Sequence, residues 1–401
     1  MDAFALTPLQ SLFAAVACLL LGAGVTRRVA FLARYNIPEP VTGGLLFAAA
    51  ASAAALFGSS GQAPVALDAT LKPVLLLMFF AGVGMSADLR LLRQGGKALG
   101  RFMLVLFPFI VLQNATGLAM ATLLDLHPLY GVIVGSITLV GGHGTGAAYA
   151  ERFAEVNNLQ SVMELSMTSA TLGLILGGIV AGPVAQFLIK RHRLGLGRAE
   201  AQAAGPRAEA RAVSALGVAG ALCGILGAVI LGQWLAQQMQ DLPLTVPGFL
   251  WCMLVGVAVR NLAPLLGLAF DDRATELISG LCLALFLVMT MMALNLVEVA
   301  RTAGPLLAIL VAQAILIALY AALVCFRMMG RDYEAAVTSA AFIGFNLGST
   351  ATAIANMQAI TARHGPAPRS FLIVPLAGAF LVDLMNAVIL TGFLSLGFMG
   401  Q

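Results

Sequence analysis

The sequence predicts an all-α polytopic membrane protein, on three observations: its composition, the length of its apolar runs and the placement of its charges. The 401 residues are 60% hydrophobic and only 10% charged, with a mean hydropathy of +0.96. A soluble domain carries about 25% charged residues. The apolar residues fall in runs near the ~20 residues that cross the hydrocarbon core of a bilayer. Ten such runs form two sets of five, and two further apolar segments are broken by glycine.

Taken in order, the first half (1–189) holds helices over 9–25, 38–57, 73–87, 102–124 and 165–189, with a broken segment over 129–150. A polar, basic linker over 190–211 contains Lys190-Arg191-His192-Arg193 and Gly205-Pro206. The second half (212–401) holds helices over 212–237, 244–263, 277–296, 305–326 and 371–393, with a second broken segment over 334–357. No basic stretch precedes the first run, only Asp2, so that run is expected to remain as a helix and not be removed as a signal peptide. Cys18, Cys223, Cys252, Cys282 and Cys325 all lie in apolar runs and read as small core residues, not as disulfides or metal ligands.

Charge sets the orientation. With the N-terminus outside, 19 of the 22 basic residues lie in inside segments, and only Lys72, Arg152 and Arg301 lie outside. The positive-inside rule selects that arrangement. It places both termini outside and the linker in the cytoplasm. Each broken segment must then enter and leave on one side, the first from outside and the second from inside. Five crossings per half give the halves opposite orientation. Weak internal similarity agrees: Arg93 and Gly96 match Arg301 and Gly304, while Tyr130, Ser136 and Gly141 match Tyr333, Ser339 and Gly344. Inverted repeats with broken helices are the architecture of secondary transporters, whose sites lie where the breaks meet.

The first break reads Gly141-Gly142-His143-Gly144-Thr145-Gly146. Each glycine costs about 1 kcal/mol relative to alanine in a helix. Backbone without helical hydrogen bonds is tolerated at membrane depth only inside protein or along a watery cavity. The second break, Gly348-Ser349-Thr350-Ala351-Thr352, is small and hydroxyl-rich. Exposed N–H groups and a half-helix N-terminus favour an anionic group such as a carboxylate. Carbonyls on the other side of a break suit a hard cation such as Na⁺. Gly141, Gly142, His143, Gly144, Thr145, Gly348, Ser349, Thr350, Thr352 and Asp383 are therefore the candidate substrate ligands, against the alternative that small residues simply let helices pack closely.

His143 reads as a proton carrier, a neutral donor to a carboxylate, or a ring satisfied by nearby backbone. An aspartate at a helix centre costs about 2.5–3.5 kcal/mol on the insertion scale, which marks Asp383 as functional. Asn386 shares its face, and the pair suits Na⁺ or a substrate ammonium. Asn114, Asn346 and Asn356 are the other candidate Na⁺ ligands. Gln113 and Gln313 read equally as amides bridging helices. Glu151 reads as solvated, and Glu164 as an acid favoured at a helix start. The sequence has no Walker A, H-E-x-x-H or G-x-S-x-G motif, so neither ATP-driven transport nor a common hydrolase is supported. Nor does it offer a nucleic-acid surface. A Na⁺/H⁺ antiporter, a Na⁺-coupled carrier of another organic anion, and a channel stand as alternatives.

The chain resembles the bacterial glutamate:sodium symporter family. The resemblance lies in Ile37-Pro38-Glu39-Pro40-Val41-Thr42-Gly43-Gly44, Gln113-Asn114-Ala115-Thr116-Gly117 and the stretch from Gly135 to Ala148. In the second half it lies in Leu285-Phe286-Leu287, the stretch from Arg327 to Tyr333, and the stretch from Ala353 to Ile360. It implies ten helices in two inverted repeats with two re-entrant segments, Na⁺ as coupling ion with no organic cofactor, L-glutamate uptake across the bacterial inner membrane, a homodimer and an elevator-like core. Where that family's second motif has a proline, this chain has Ala351.

Overall fold

A computed structural model describes residues 4–34, 37–57, 65–157, 161–194, 213–239 and 247–395. The chain is a multi-pass membrane protein built almost wholly of helices. Among the described residues seven helices are long and apolar enough to cross a bilayer, and Lys72–Met85, Pro128–Ile137 and Val382–Leu394 are shorter apolar helices. In order the helices are α1 (Pro8–Arg28), α2 (Ala30–Arg34), α3 (Glu39–Phe57), α4 (Lys72–Met85), α5 (Leu89–Leu123), α6 (Pro128–Val132), α7 (Gly142–Asn157) and α8 (Val162–Arg191). There follow α9 (Ala215–Gln238), α10 (Gly248–Leu262), α11 (Asp272–Met292), α12 (Leu296–Tyr320), α13 (Phe326–Met328), α14 (Tyr333–Leu347), α15 (Thr350–His364), α16 (Pro368–Leu376) and α17 (Val382–Leu394). Most of the linker expected over 190–211 lies outside the described residues.

Several boundaries differ from the sequence expectation. The helix expected over 102–124 starts thirteen residues earlier, at Leu89, where the Asp88 side chain accepts the Arg90 N–H at 2.8 Å. It bends at Gly96 (φ 50°, ψ −144°), so a glycine pair and four basic residues that read as a loop lie inside one kinked helix. Pro305, expected as a first residue, lies inside α12. π-helical turns at Ile133–Ile137, Ala321–Cys325 and Ala377–Leu381 were not foreseen; such turns often accompany functional sites. Nor was a parallel pairing of Phe4–Ala5 with Val65–Ala66, which is too short to leave a period-2 pattern. It sits beside a bond from the Asp68 N–H to Ser11 Oγ (2.9 Å), and together they tie the N-terminus to the loop before α4.

The helices pack as two bundles, each drawn from both halves of the chain. A panel joins α1, α3 and α4 with α9, α10 and α11. A core joins α5–α8 with α12 and α14–α17. In the panel α4 and α10 touch backbone to backbone: a Cβ on Gly84 would strike the Met253 carbonyl, and one on Gly256 the Ala81 carbonyl. Small residues permit that approach where lipid supplies no hydrophobic drive between helices. One end of the panel is tied by Arg260, which bonds Asp272 and lies 3.5 Å from Asp88, and by Asn261, whose Nδ2 donates to the Ala87 carbonyl at 2.8 Å.

In the core, Glu334 near the start of α14 holds the start of α16. Its Oε1 accepts the Arg369 N–H (3.1 Å), and its Oε2 accepts the N–H (2.9 Å) and hydroxyl (2.7 Å) of Ser370. These N–H groups have no helical partner. Glu334→Ala is expected to lower stability by about 1–3 kcal/mol, read as a lower midpoint of thermal unfolding in detergent, and Glu334→Gln by less, because one acceptor oxygen remains.

Candidate functional site

The first break is narrower than composition suggested. The chain passes from the π turn Ile133–Ile137, where Gly135 has ψ −133°, through a turn at Val140–Gly141, into α7 at Gly142. His143, Gly144 and Gly146 thus lie in the opening turns of a helix and not in an extended loop. The first four N–H groups of a helix have no intrahelical partner anyway, so glycine near the start forfeits less than glycine in the middle. Gly142 is different. Its φ of +65° is left-handed, a conformation that costs a residue with a Cβ roughly 1–2 kcal/mol.

The second break is sharper. Gly348 (φ −152°, ψ −84°) ends α14, and Ser349 is extended and caps α15, its Oγ accepting the Thr352 N–H at 3.3 Å. The two breaks meet: a Cβ on Gly142 would lie 3.6 Å from the Gly348 carbonyl oxygen.

They meet at a cavity of about 590 Å³ on the seam between the bundles. The core wall is Gly141, Gly142, His143, Gly144, Leu174, Gly348, Ser349 and Ala351. The panel wall is mostly apolar, with Phe79 of α4, Leu283 and Leu287 of α11, and Thr26, Leu32 and Ile37–Pro40 around the α1–α3 corner. One wall therefore carries backbone donors and helix N-termini, and the other is smooth. Glu39, exposed at the start of α3, is the one carboxylate among the described residues of the lining, and the sequence reading missed it as a site residue.

His143 is buried. Its Nε2 lies 3.0 Å from Thr171 Oγ1, which itself donates to the Met167 carbonyl at 2.9 Å. The Thr171 hydroxyl can donate to the Met167 carbonyl or to the ring, so Nε2 donates or accepts here according to the tautomer. The partner of the ring is thus a side chain on α8 and not the nearby backbone. Thr171 is a partner 28 residues away that no local motif announces.

Other candidates stand off the cavity. Thr145 packs on Gly141, whose Cβ would lie 2.5 Å from its own. Thr350 packs on Gly378, in the π turn before α17. Thr352 is buried, its Oγ1 3.3 Å from Ser349 Oγ. Asp383 is half-buried in α17 and is not part of the lining. Asn386, on its face, donates from Nδ2 to the Ser136 carbonyl in the first break (3.1 Å), and no donor among the described residues reaches its Oδ1. Asn114 accepts the Ser136 N–H (2.9 Å) and donates to Ser136 Oγ (2.8 Å), so it positions that π turn. Asn346 Nδ2 donates to the Phe342 carbonyl and Asn356 Nδ2 to the Gly177 carbonyl.

Two acids hold the seam at the end away from Thr26 and Pro40. Glu151 is not simply solvated: its Oε1 lies 3.0 Å from Lys72 Nζ, which also sits 5.7 Å from the centre of the Phe286 ring. Glu164 Oε1 accepts the Asn295 N–H at 3.3 Å. The first contact joins core to panel; the second holds the turn that leads from α11 of the panel into α12 of the core.

A family model described as sodium/glutamate symporter matches residues 4–366. The sodium/glutamate symporters of Escherichia coli and Shigella flexneri are each 42% identical to this chain over 398 residues, 98% of either chain. That of Haemophilus influenzae is 39% identical over 389 residues, 95% of either chain. A solved sodium proton antiporter of Methanocaldococcus jannaschii aligns over 98% of this chain and 99% of its own with a TM-score of 0.37 and 16% identity, too slight a likeness to carry an argument. The near full-length family match and these identities make the chain a member of the sodium/glutamate symporter family, a family of transporters and not of enzymes.

Proposed function

We propose that the protein couples inward Na⁺ flow to uptake of L-glutamate across the bacterial inner membrane. The observation that carries this reading is the cavity where both breaks turn toward one smooth wall. The opening turns of α7 and α15 offer N–H groups and the positive ends of two helices to the two carboxylates of the substrate. Asp383 and Asn386, on a face that meets the first break, hold Na⁺ beside the Ser136 carbonyl. Substrate then binds well only when the ion has fixed the break, which is coupling in the thermodynamic sense.

The topology is ten crossings in two inverted five-helix repeats (1–189 and 212–401), with re-entrant segments at 129–150 and 334–357, a cytoplasmic linker over 190–211 and both termini in the periplasm. The bundles, each drawn from both halves, support that reading. The cavity reaches the α1–α3 corner, where Arg27 and Arg28 lie, so this conformation faces inward by the charge rule. Transport moves the core along the panel, an elevator-like step, with the panel as the fixed partner of a homodimer.

Proteoliposomes test the coupling. Glutamate should accumulate only under an inward Na⁺ gradient, and accumulation that ignores an imposed gradient rejects the reading. Ala351 tests the anion site. It lies in the first turn of α15 on the cavity wall, where proline fits a helix but removes an N–H. Ala351→Pro is expected to leave the unfolding midpoint nearly unchanged and to shift the KM for glutamate relative to competing aspartate. An unchanged KM would remove this N–H from the site.

A further inference from the structure

We propose a second cation site, formed by the amide oxygens of Gln113, Gln313 and Asn346 directly beneath the second break. The three residues are fully buried and come from α5, α12 and α14. They form one chain of hydrogen bonds. Gln313 Nε2 donates to the Gln113 carbonyl (2.9 Å), Gln113 Nε2 to the Asn346 carbonyl (2.8 Å) and Asn346 Nδ2 to the Phe342 carbonyl (2.8 Å). Each amide nitrogen faces a backbone oxygen, so rotating any of the carboxamides would set oxygen against oxygen. The orientation is fixed by the backbone. Gln113 Oε1, Gln313 Oε1 and Asn346 Oδ1 are the ends left over, and among the described residues no donor reaches them.

Buried acceptors without a donor are rare and require an explanation, an ion or ordered water among them. Three in one bonded cluster, all carbonyl-type oxygens, match the ligand preference of a hard cation. No carboxylate is bonded into the cluster, and neutral oxygens suit a monovalent ion better than a divalent one. The backbone adds a further bias. Asn346 lies in the last turn of α14, which ends at Leu347, and a helix C-terminus favours positive charge. On the other side of Gly348 the start of α15 favours negative charge. One break thus presents a cation face toward Gln113 and Gln313 and an anion face toward the cavity. An ion held there joins α5 of the first half to α12 and α14 of the second and fixes the end of α14 that carries Gly348.

The site rests on the reading of Na⁺-coupled transport and is built from residues other than Asp383 and Asn386. Its test uses the full-length protein in two assays. The first is thermal unfolding in detergent with NaCl titrated against choline chloride, without substrate. The second is Na⁺-dependent glutamate uptake in proteoliposomes. Gln313→Met keeps the length and removes the oxygen. It is expected to raise the half-saturating Na⁺ concentration by about tenfold or more in both assays and to lower the Hill coefficient for Na⁺ in uptake. Gln313→Glu, which keeps an oxygen and adds charge, is expected to bind Na⁺ at least as tightly as the parent. A folded Gln313→Met protein with the parent's Na⁺ dependence overturns the site and assigns the oxygens to water. If Gln313→Met does not fold, weakened Na⁺ dependence in Gln313→Glu overturns it instead. Parent uptake that is itself indifferent to Na⁺ rejects the transport reading, an outcome distinct from either of these.

Discussion

Tethering position 72 to position 151 is expected to stop uptake completely. Lys72 begins α4 in the panel and Glu151 lies on α7 in the core, with 3.0 Å between Nζ and Oε1. The contact closes the seam at the end opposite the cavity mouth, so alternating access requires the two side chains to part in every cycle. Their side chains are 16% and 27% exposed. A pair so placed contributes about 1 kcal/mol or less, and Lys72→Gln should therefore shift the balance of conformations by roughly fivefold at most. A covalent tether removes the motion altogether. The measurement is uptake by Lys72→Cys/Glu151→Cys protein treated with a cleavable bifunctional thiol reagent. Cys18 and Cys223 are replaced beforehand, whereas Cys252, Cys282 and Cys325 are buried and can stay. Uptake should fall to that of empty vesicles and return when the spacer is reduced. Full uptake with the tether intact would show that the core and panel do not separate here.

The apolar runs and the two glycine-rich breaks were legible because each is a local property of the chain. Runs of about 20 apolar residues have few fates, and Gly141 to Gly146 and Gly348 to Thr352 are conspicuous within them. What stayed hidden depends on distant neighbours. Thr171 is named as the partner of His143 only once α8 lies against α7. Phe79, Leu283 and Leu287 read as ordinary apolar residues until the panel faces the breaks. Glu151 looked solvated because its partner, Lys72, lies 79 residues earlier across the seam. Gln113 and Gln313 were seen as polar residues at depth, but which end of each amide is left over follows only from the carbonyls that fix the other end. The Gly96 kink escaped for a related reason: a glycine among basic residues reads as loop unless the helices on both sides are known to continue.

Asp383→Asn is expected to abolish Na⁺-driven accumulation while leaving the protein as stable as before, or more so. An ionised carboxylate in the middle of a membrane helix costs about 2.5–3.5 kcal/mol, so a purely structural account needs strong partners for it. Its neighbour on the same face, Asn386, instead donates to Ser136 in the first break and keeps Oδ1 without a donor. The face therefore carries a carboxylate and an amide oxygen that no donor among the described residues reaches, which suits a cation more than an anionic substrate, and Asp383 does not line the cavity where the substrate would lie. Asparagine keeps the shape and removes the charge. Loss of even an outer partner that orients a ligand typically weakens metal affinity by about 10–100-fold, so loss of a charged ligand takes Na⁺ binding out of its working range. Two readings separate the functional role from a structural one. Thermal unfolding without Na⁺ should show an unchanged or higher midpoint, and the stabilisation that Na⁺ gives the parent should disappear. A lowered midpoint with Na⁺ stabilisation intact would make Asp383 a structural carboxylate. Normal accumulation would place the coupling ion elsewhere, with the amide oxygens beneath the second break as the remaining candidates.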